Sequence, residues 1–219
     1  MKKIGVLGTG MVGNAIGSKL IQLGYDVKMG SRTPNNEKAS EWVRKNGSKA
    51  SQGTFEDAAK FGDMIFLCVK GEAALDVLRM AKEENLNGKT IVDVTNPVDF
   101  SKGMPPSLFV CNTDSLGERL QRAFPNVNFV KTLDVVNCEV QVDPKKSGDD
   151  PTMFMCGNNT KAKAEVKEIL KQFGWKDIID LGDISAARGS EMMTPIWLRI
   201  WSALQNSHFA FKIVRKNKK

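Results

Sequence analysis

Six residues near the start constrain the fold more than any other feature of the chain: Gly8-Thr9-Gly10-Met11-Val12-Gly13. A G-x-G-x-x-G spacing is short, and its weight comes from its setting. Residues 3–7 just before it are mostly apolar and β-branched in part, as a buried parallel strand would be. After it, Val12, Ile16, Leu20 and Leu23 recur at helical spacing, and Gly24 supplies a stop. A strand, a glycine turn and a helix in that order predict the opening unit of a dinucleotide-binding fold. Gly8 allows the tight turn, Gly10 lets backbone N–H groups approach a pyrophosphate, and Gly13 lets the helix pack close to the strand. The helix N-terminus offers free N–H donors and a positive dipole end to the phosphates. Thr9, Met11 and Val12 complete this cradle.

Strand and helix patterns then alternate. Tyr25, Val27 and Met29 alternate with polar residues as a second strand. A polar helix over 35–45 and a further short helix precede an apolar strand over 64–69. Ala73, Ala74, Val77, Leu78 and Ala81 make another helix, followed by a strand over 90–94. Residues 96–112, with Pro97, Pro105 and Pro106, read as a long loop. Ser115-Leu116-Gly117-Glu118 forms a capping box for a helix ended by Pro125. The second half reads as a strand over 128–133, an extended segment over Cys138–Val142, a strand over Thr152–Cys156, a helix capped by Asn159 or Thr160, and a strand over 176–181. A last helix over 184–211, kinked by Pro195, is apolar on more than one face. The expected fold is α/β: a Rossmann-type parallel sheet with helices on both faces and a small α/β C-terminal extension. The expected division is a dinucleotide-binding domain over 1–132, a small substrate and dimerisation portion over 133–211, and a basic tail over 212–219.

The end of the second strand selects the cofactor. NAD-binding units place an Asp or Glu there, about 20 residues past the glycines, for the ribose hydroxyls. This chain has Gly30-Ser31-Arg32-Thr33, with no carboxylate. Arg32 can hold a 2′-phosphate through charge-assisted bonds, and Ser31 and Thr33 can add donors. The expected cofactor is therefore NADP(H). Ligands of open α/β sheets sit outside the carboxyl ends of the strands. That brings Cys68, Val69 and Lys70, and then Asn96 and Pro97, toward the cofactor.

The glycine turn, Gly30-Ser31-Arg32, Asn96-Pro97, Cys156-Gly157-Asn158 and Met193-Thr194-Pro195 together resemble the NADP oxidoreductases dependent on the deazaflavin coenzyme F420. The resemblance spans nearly the whole chain. It implies hydride transfer between NADPH and a deazaflavin stacked over the nicotinamide, in a cleft beside the C-terminal portion. It places Val135, Asn137, Thr194, Pro195 and Leu198 near the second substrate. The chain departs from those enzymes at Asp134, where they carry a histidine, so a flavin or another small acceptor stays open. A non-catalytic NADP(H)-binding or redox-sensing protein is the alternative. A hydroxyacid or imine reductase with a long helical domain is a third reading, though only about 70 residues follow the strand at Thr152.

Composition removes other classes. No C-x-x-C pair occurs, and one histidine, His208, stands apart from Cys68, Cys111, Cys138 and Cys156, so no metal site is expected and the thiols read as free and buried. No proton-donating dyad identifies itself, and the catalytic residue is unassigned; His208 and Asp134 are the candidates of last resort. Lys212, Arg215, Lys216, Lys218 and Lys219 carry most of the net charge of +7, and read as a solvated terminus rather than a nucleic-acid or membrane contact. Lys2 and Lys3 precede an apolar run too short for a secretion signal, which points to the cytoplasm. The extra apolar face of the last helix points to a homodimer.

Overall fold

The structure is a computed structural model, and residues 2–216 are described. Its frame is an eight-stranded sheet, with a small separate hairpin of β6 (Val98–Asp99) and β7 (Ser107–Leu108) beside it. The strands of the sheet are β1 (Lys3–Leu7), β2 (Asp26–Ser31), β3 (Ala50–Thr54), β4 (Met64–Leu67), β5 (Thr90–Asp93), β8 (Asn128–Thr132), β9 (Thr152–Cys156) and β10 (Asp177–Asp180), ordered β10-β9-β8-β5-β4-β1-β2-β3. All neighbours are parallel except β8 and β9. This is the Rossmann-type sheet expected, and it continues without interruption into the C-terminal third. The carboxyl ends of β1, β2, β4 and β5 therefore share one edge.

Both faces are covered, which is why the strands read as apolar runs rather than alternating ones. One core joins Ile4, Val6 and Met29 to Trp42, Val140, Val166 and Phe173. Its helices are α1 (Met11–Gln22), α2 (Glu37–Asn46), α6 (Cys138–Val142) and α7 (Thr160–Phe173). The other joins Leu7, Ile65 and Ile91 to Ala58, Leu78, Leu120 and Ile184, under α3 (Phe55–Phe61), α4 (Ala74–Ala81) and α5 (Leu116–Ala123). Close approach is built in: a Cβ on Gly17 of α1 would lie 2.8 Å from the Trp42 ring of α2, whose indole N–H donates to Ser18 Oγ at 3.0 Å.

Several expectations are corrected. Cys138–Val142 is helix α6, not an extended segment. Its β-branched residues favour a strand locally, but Asn137 caps it by accepting from the Glu139 N–H at 2.6 Å. Gln141 then donates to the Leu133 carbonyl at 2.7 Å, so tertiary bonds override propensity. The last helix is not continuous over 184–211. It is a short 3-10 turn, then α8 (Ala187–Met192) and α9 (Thr194–Leu204). Pro195 stands in the first turn of α9, where a missing N–H costs nothing. Beyond Gln205 the chain is irregular, and the Phe211 carbonyl accepts from Thr152 N–H at 2.9 Å on β9.

The tail over 212–216 is exposed, as expected, but tied to the sheet edge. Arg215 pairs with Asp177 at 2.5 Å, Lys212 reaches the Asp150 carbonyl, and the Ile213 N–H donates to Thr152 Oγ1 at 3.0 Å. Lys218 and Lys219 lie outside the described residues. Three further details were not expected. β3 is a strand, the loop over 96–112 contains the β6–β7 hairpin, and α3 carries the reciprocal capping box, between Thr54 and Asp57. At α5, Ser115 does accept from the Glu118 N–H, but the Glu118 carboxylate turns to Arg188 of α8 at 2.6 and 2.8 Å instead of returning to the backbone. Cys68 and Cys156 are buried, whereas Cys138 is half-buried and Cys111 exposed. Among the described residues no helix is long and apolar enough to cross a membrane.

Candidate functional site: a cleft at the carboxyl edge of the sheet

A cavity of about 690 Å³ opens where β1, β2, β4 and β5 end. Gly8, Thr9, Gly10, Met11, Val12, Ser31, Arg32, Cys68, Val69 and Lys70 all line it, so residues separated by 60 positions are brought to one surface. Gly8 has φ +128°, and a Cβ there would lie 2.2 Å from the Cys68 carbonyl oxygen. Gly10, by contrast, has open space where a Cβ would stand, on the side a ligand would take. Gly13 does not line the cavity; a Cβ on it would lie 2.1 Å from the Gly8 carbonyl oxygen, so it sets how closely α1 packs on the turn. The first turn of α1 contains no acidic residue to compete for an anion.

Sequence reasoning missed Asn14, whose amide donates to the carbonyls of Thr9 and Gly10, both at 3.1 Å, and braces the loop from within the helix. It also missed Asn36, Phe55, Glu72, Ala73, Val77 and Val94 in the wall. Asn36 does leave a legible signal: its Oδ1 caps α2 by accepting from Ala39 N–H at 3.1 Å, which leaves its amide N–H₂ for the cavity.

Beside this pocket a second cavity of about 390 Å³ shares Val69, Lys70, Glu72 and Val94 and adds Asn96, Val98, Asp99 and Phe100. Asn96 lines this second cavity, and both ends of its side chain are engaged. Its amide donates to the Asp134 carbonyl at 2.5 Å, and Oδ1 accepts from the Thr194 hydroxyl at 2.8 Å. Pro97 lines neither cavity; its carbonyl accepts from Phe109 N–H at 2.9 Å and anchors the hairpin. Thr33 lines neither, and its carbonyl accepts the Ser31 hydroxyl at 2.5 Å.

Of the residues tied to the second substrate, Val135 and Thr194 are buried, while Asn137, Pro195 and Leu198 are half-buried. None lines either cavity. Asn137 donates to Ser207 Oγ at 2.6 Å, and so ties α6 to the segment after α9. Thr194 reaches Asn96, so α9 borders the exit of β5. Burial raises the Cys68 thiol far above its ordinary range, with Asp93 adding to the effect, and pushes Cys156 up to about 12. Neither is a thiolate nucleophile. His208 stands 3.2 Å from Glu139, remote in sequence from the cavity-lining segments.

The fold and this wall can be set beside known proteins. A family model described as NADP oxidoreductase, coenzyme F420-dependent, matches residues 3–97. A solved structure from Arthrobacter sp. FB24, provisionally described as an F420-dependent NADP reductase, is 43% identical, covers 98% of this chain and all of its own, and superposes with a TM-score of 0.94. The chain belongs to the F420-dependent NADP oxidoreductase family. The F420-dependent NADP reductase of Methanocaldococcus jannaschii is 29% identical over 203 residues, 89% of this chain and 90% of that protein. Metalloreductase STEAP3 of Rattus norvegicus is 27% identical over 201 residues, but the chain spans only 38% of its length. Members of this family are NADP(H)-dependent oxidoreductases, and so is this chain.

Proposed function

We propose that the chain transfers a hydride between NADPH and a small planar acceptor of the flavin or deazaflavin kind, which enters between the β5 exit and α9. The observation that carries the NADP(H) part is Arg32. It is exposed at the mouth of the glycine-turn cavity, and no described residue pairs with it. Most other arginines of the chain have carboxylate partners nearby, as Arg79, Arg119, Arg122, Arg188 and Arg215 do.

Bound NADPH supplies a hydride from its nicotinamide ring. The backbone of residues 8–12, at the N-terminus of α1, would hold the pyrophosphate. Arg32 and the free amide of Asn36 would receive the 2′-phosphate, with Ser31 holding the turn through its bond to the Thr33 carbonyl and Phe55 in the same wall. Cys68, Val69 and Val94 would supply an apolar wall that limits water around the nicotinamide. Asn96 and Thr194 fix the distance between the β5 exit and α9. Val135, Asn137, Pro195 and Leu198 back the acceptor's side. Hydride transfer needs proximity and stacking more than an acid or base, so the proposal calls for no catalytic dyad.

The test is NADPH oxidation with a panel of flavins, a deazaflavin and quinones. Turnover with a planar acceptor supports the proposal. NADPH binding without turnover on any of them would favour the redox-sensing reading. The same proposal includes a cytoplasmic homodimer. On α8 and α9, Met192, Ile196, Trp201 and Leu204 are 42%, 50%, 42% and 60% exposed. A two-fold pair can cover such a stripe with its own copy, without a second complementary surface.

A further inference from the structure

Beneath α8 lies a group of charged side chains that the cleft does not use. Lys131 on β8 is fully buried. Its ammonium is 2.8 Å from Asp93 of β5 and 3.0 Å from Glu191 of α8, and it donates to the Thr95 carbonyl at 2.6 Å. Asp93 also accepts from the Thr95 N–H and hydroxyl at 2.9 and 2.6 Å. The Glu191 carboxylate accepts the first two N–H groups of α5, those of Leu116 at 2.8 Å and Gly117 at 2.9 Å. Both carboxylates are thus matched by Lys131 and by backbone donors, and Glu191 has the positive end of α5 as well.

Asp134 is not matched. It is 6% exposed, and neither carboxylate oxygen has a hydrogen-bond partner among the described residues. The Ser190 hydroxyl donates to the Ala187 carbonyl at 3.4 Å and lies close enough to Asp134 to favour its charged form weakly. The titratable groups around Asp134 are Lys131 of β8, Glu191 of α8 and Cys156 of β9, with Asp93 of β5 behind Lys131. One ammonium therefore serves three carboxylates. The Arg188–Glu118 pair fastens α8 to α5 nearer the surface, where Arg188 is 40% exposed. Burial, offset in part by Lys131, reinforced by the Glu191 charge and eased slightly by the Ser190 hydroxyl, pushes the Asp134 carboxyl up to about 6. The backbone of the same residue meets the cleft, since its carbonyl accepts the Asn96 amide, and Asn96 holds Thr194 at the start of α9.

We propose that Asp134 is a positioning residue whose protonation state governs how firmly α8 and α9 are held against the exit of β5. The consequence for turnover rests on the reading that the acceptor enters between the β5 exit and α9. With its proton, Asp134 adds no charge, and its O–H can donate to Ser190 Oγ. Without it, a third anion faces Glu191 with little beyond the Ser190 hydroxyl to offset it, and outward movement of α8 lets water reach it. The folded-state carboxyl titrates above its unfolded value. The stabilisation is therefore complete below about pH 4 and is lost as pH rises through about 6. Between those limits the opening equilibrium changes by up to about tenfold per pH unit.

The experiment is amide hydrogen exchange on the full chain without ligand, at pH 5 and pH 7.5, corrected for intrinsic rates. Segment 187–204 should open roughly tenfold more often at the higher pH, while α2 and α7 keep their protection. Asp134→Asn should abolish the difference, and Glu191→Gln should move its midpoint to lower pH. Equal exchange of 187–204 at both pH values in the unmodified chain, or a difference that persists in Asp134→Asn, overturns the proposal. If Asp134→Asn does not fold, the unmodified chain decides alone. The acceptor KM should rise over the same range while the Kd for NADPH stays level. A level acceptor KM alongside the expected exchange result would overturn the acceptor's placement and leave the latch standing.

Discussion

The Thr194 hydroxyl donates to Asn96 Oδ1 at 2.8 Å, a bond that joins residues 98 positions apart. It ties the first turn of α9 to the loop that leaves β5, and the Asn96 amide extends the network to the Asp134 carbonyl. Removal of the hydroxyl leaves a part-buried amide oxygen without a donor. Thr194→Val should lower stability by about 1 kcal/mol, visible as a fall in Tm of a few degrees. NADPH affinity should hardly change, because Thr194 does not line the cofactor cavity. Turnover with the acceptor should fall. Equal loss of NADPH affinity and turnover would refute this division of labour.

Arg32 gives the sharpest test of cofactor choice. A charge-assisted bond to phosphate is worth about 1.5–3 kcal/mol, so Arg32→Ala should weaken NADPH binding roughly ten- to hundredfold. NADH has no 2′-phosphate, and its affinity should stay within a factor of about two. Titration calorimetry or quenching of intrinsic fluorescence reads both. A parallel loss for the two cofactors would mean that Arg32 does not meet the 2′-phosphate.

Gly13 tests the turn itself. A Cβ at this position would stand 2.1 Å from the Gly8 carbonyl oxygen, a backbone atom that cannot swing aside. Gly13→Ala should push α1 off the turn, cost roughly 2–3 kcal/mol in unfolding free energy and remove detectable NADPH binding. Gly10→Ala meets nothing within 4 Å. It should fold normally and still lose affinity, because its methyl group would occupy ligand space. Thermal melts beside binding curves separate the two behaviours.

The exposed stripe of α8 and α9 predicts self-association. Light scattering should give twice the chain mass of 24.2 kDa at micromolar concentration. Ile196→Lys combined with Leu204→Lys should return the monomer without loss of the fold. A monomer mass for the unmodified chain at every concentration tried would remove the homodimer.

Much of the lining of the glycine-turn cavity was readable in one dimension. The cradle is local: a strand, three glycines and a helix within a dozen residues, then Ser31-Arg32 at the end of the next strand. Local geometry decides such features, and parallel topology brings strand ends to one edge by rule. Asn36 is harder to read because a cap looks purely structural until the pocket beside it is seen.

The other side was not readable, for physical reasons that act across the chain. Residues 138–142 alternate like a strand, yet Asn137, Gln141 and Trp175 bond them into a helix, with the Trp175 indole donating to the Gln141 carbonyl at 2.9 Å. The apolar run over 184–211 cannot reveal that Gln205 turns out of the helix at φ 49° and that Phe211 then joins β9. In its local sequence Asp134 looks like a solvated or capping carboxylate, but the sheet and α8 enclose it beside Lys131. By itself, then, the sequence determined a Rossmann sheet and the glycine turn after its first strand, because those depend on neighbours in the chain. Only the tertiary structure decided which polar groups are buried together, since burial and charge pairing join residues from β5, β8, α5 and α8 that no local pattern connects.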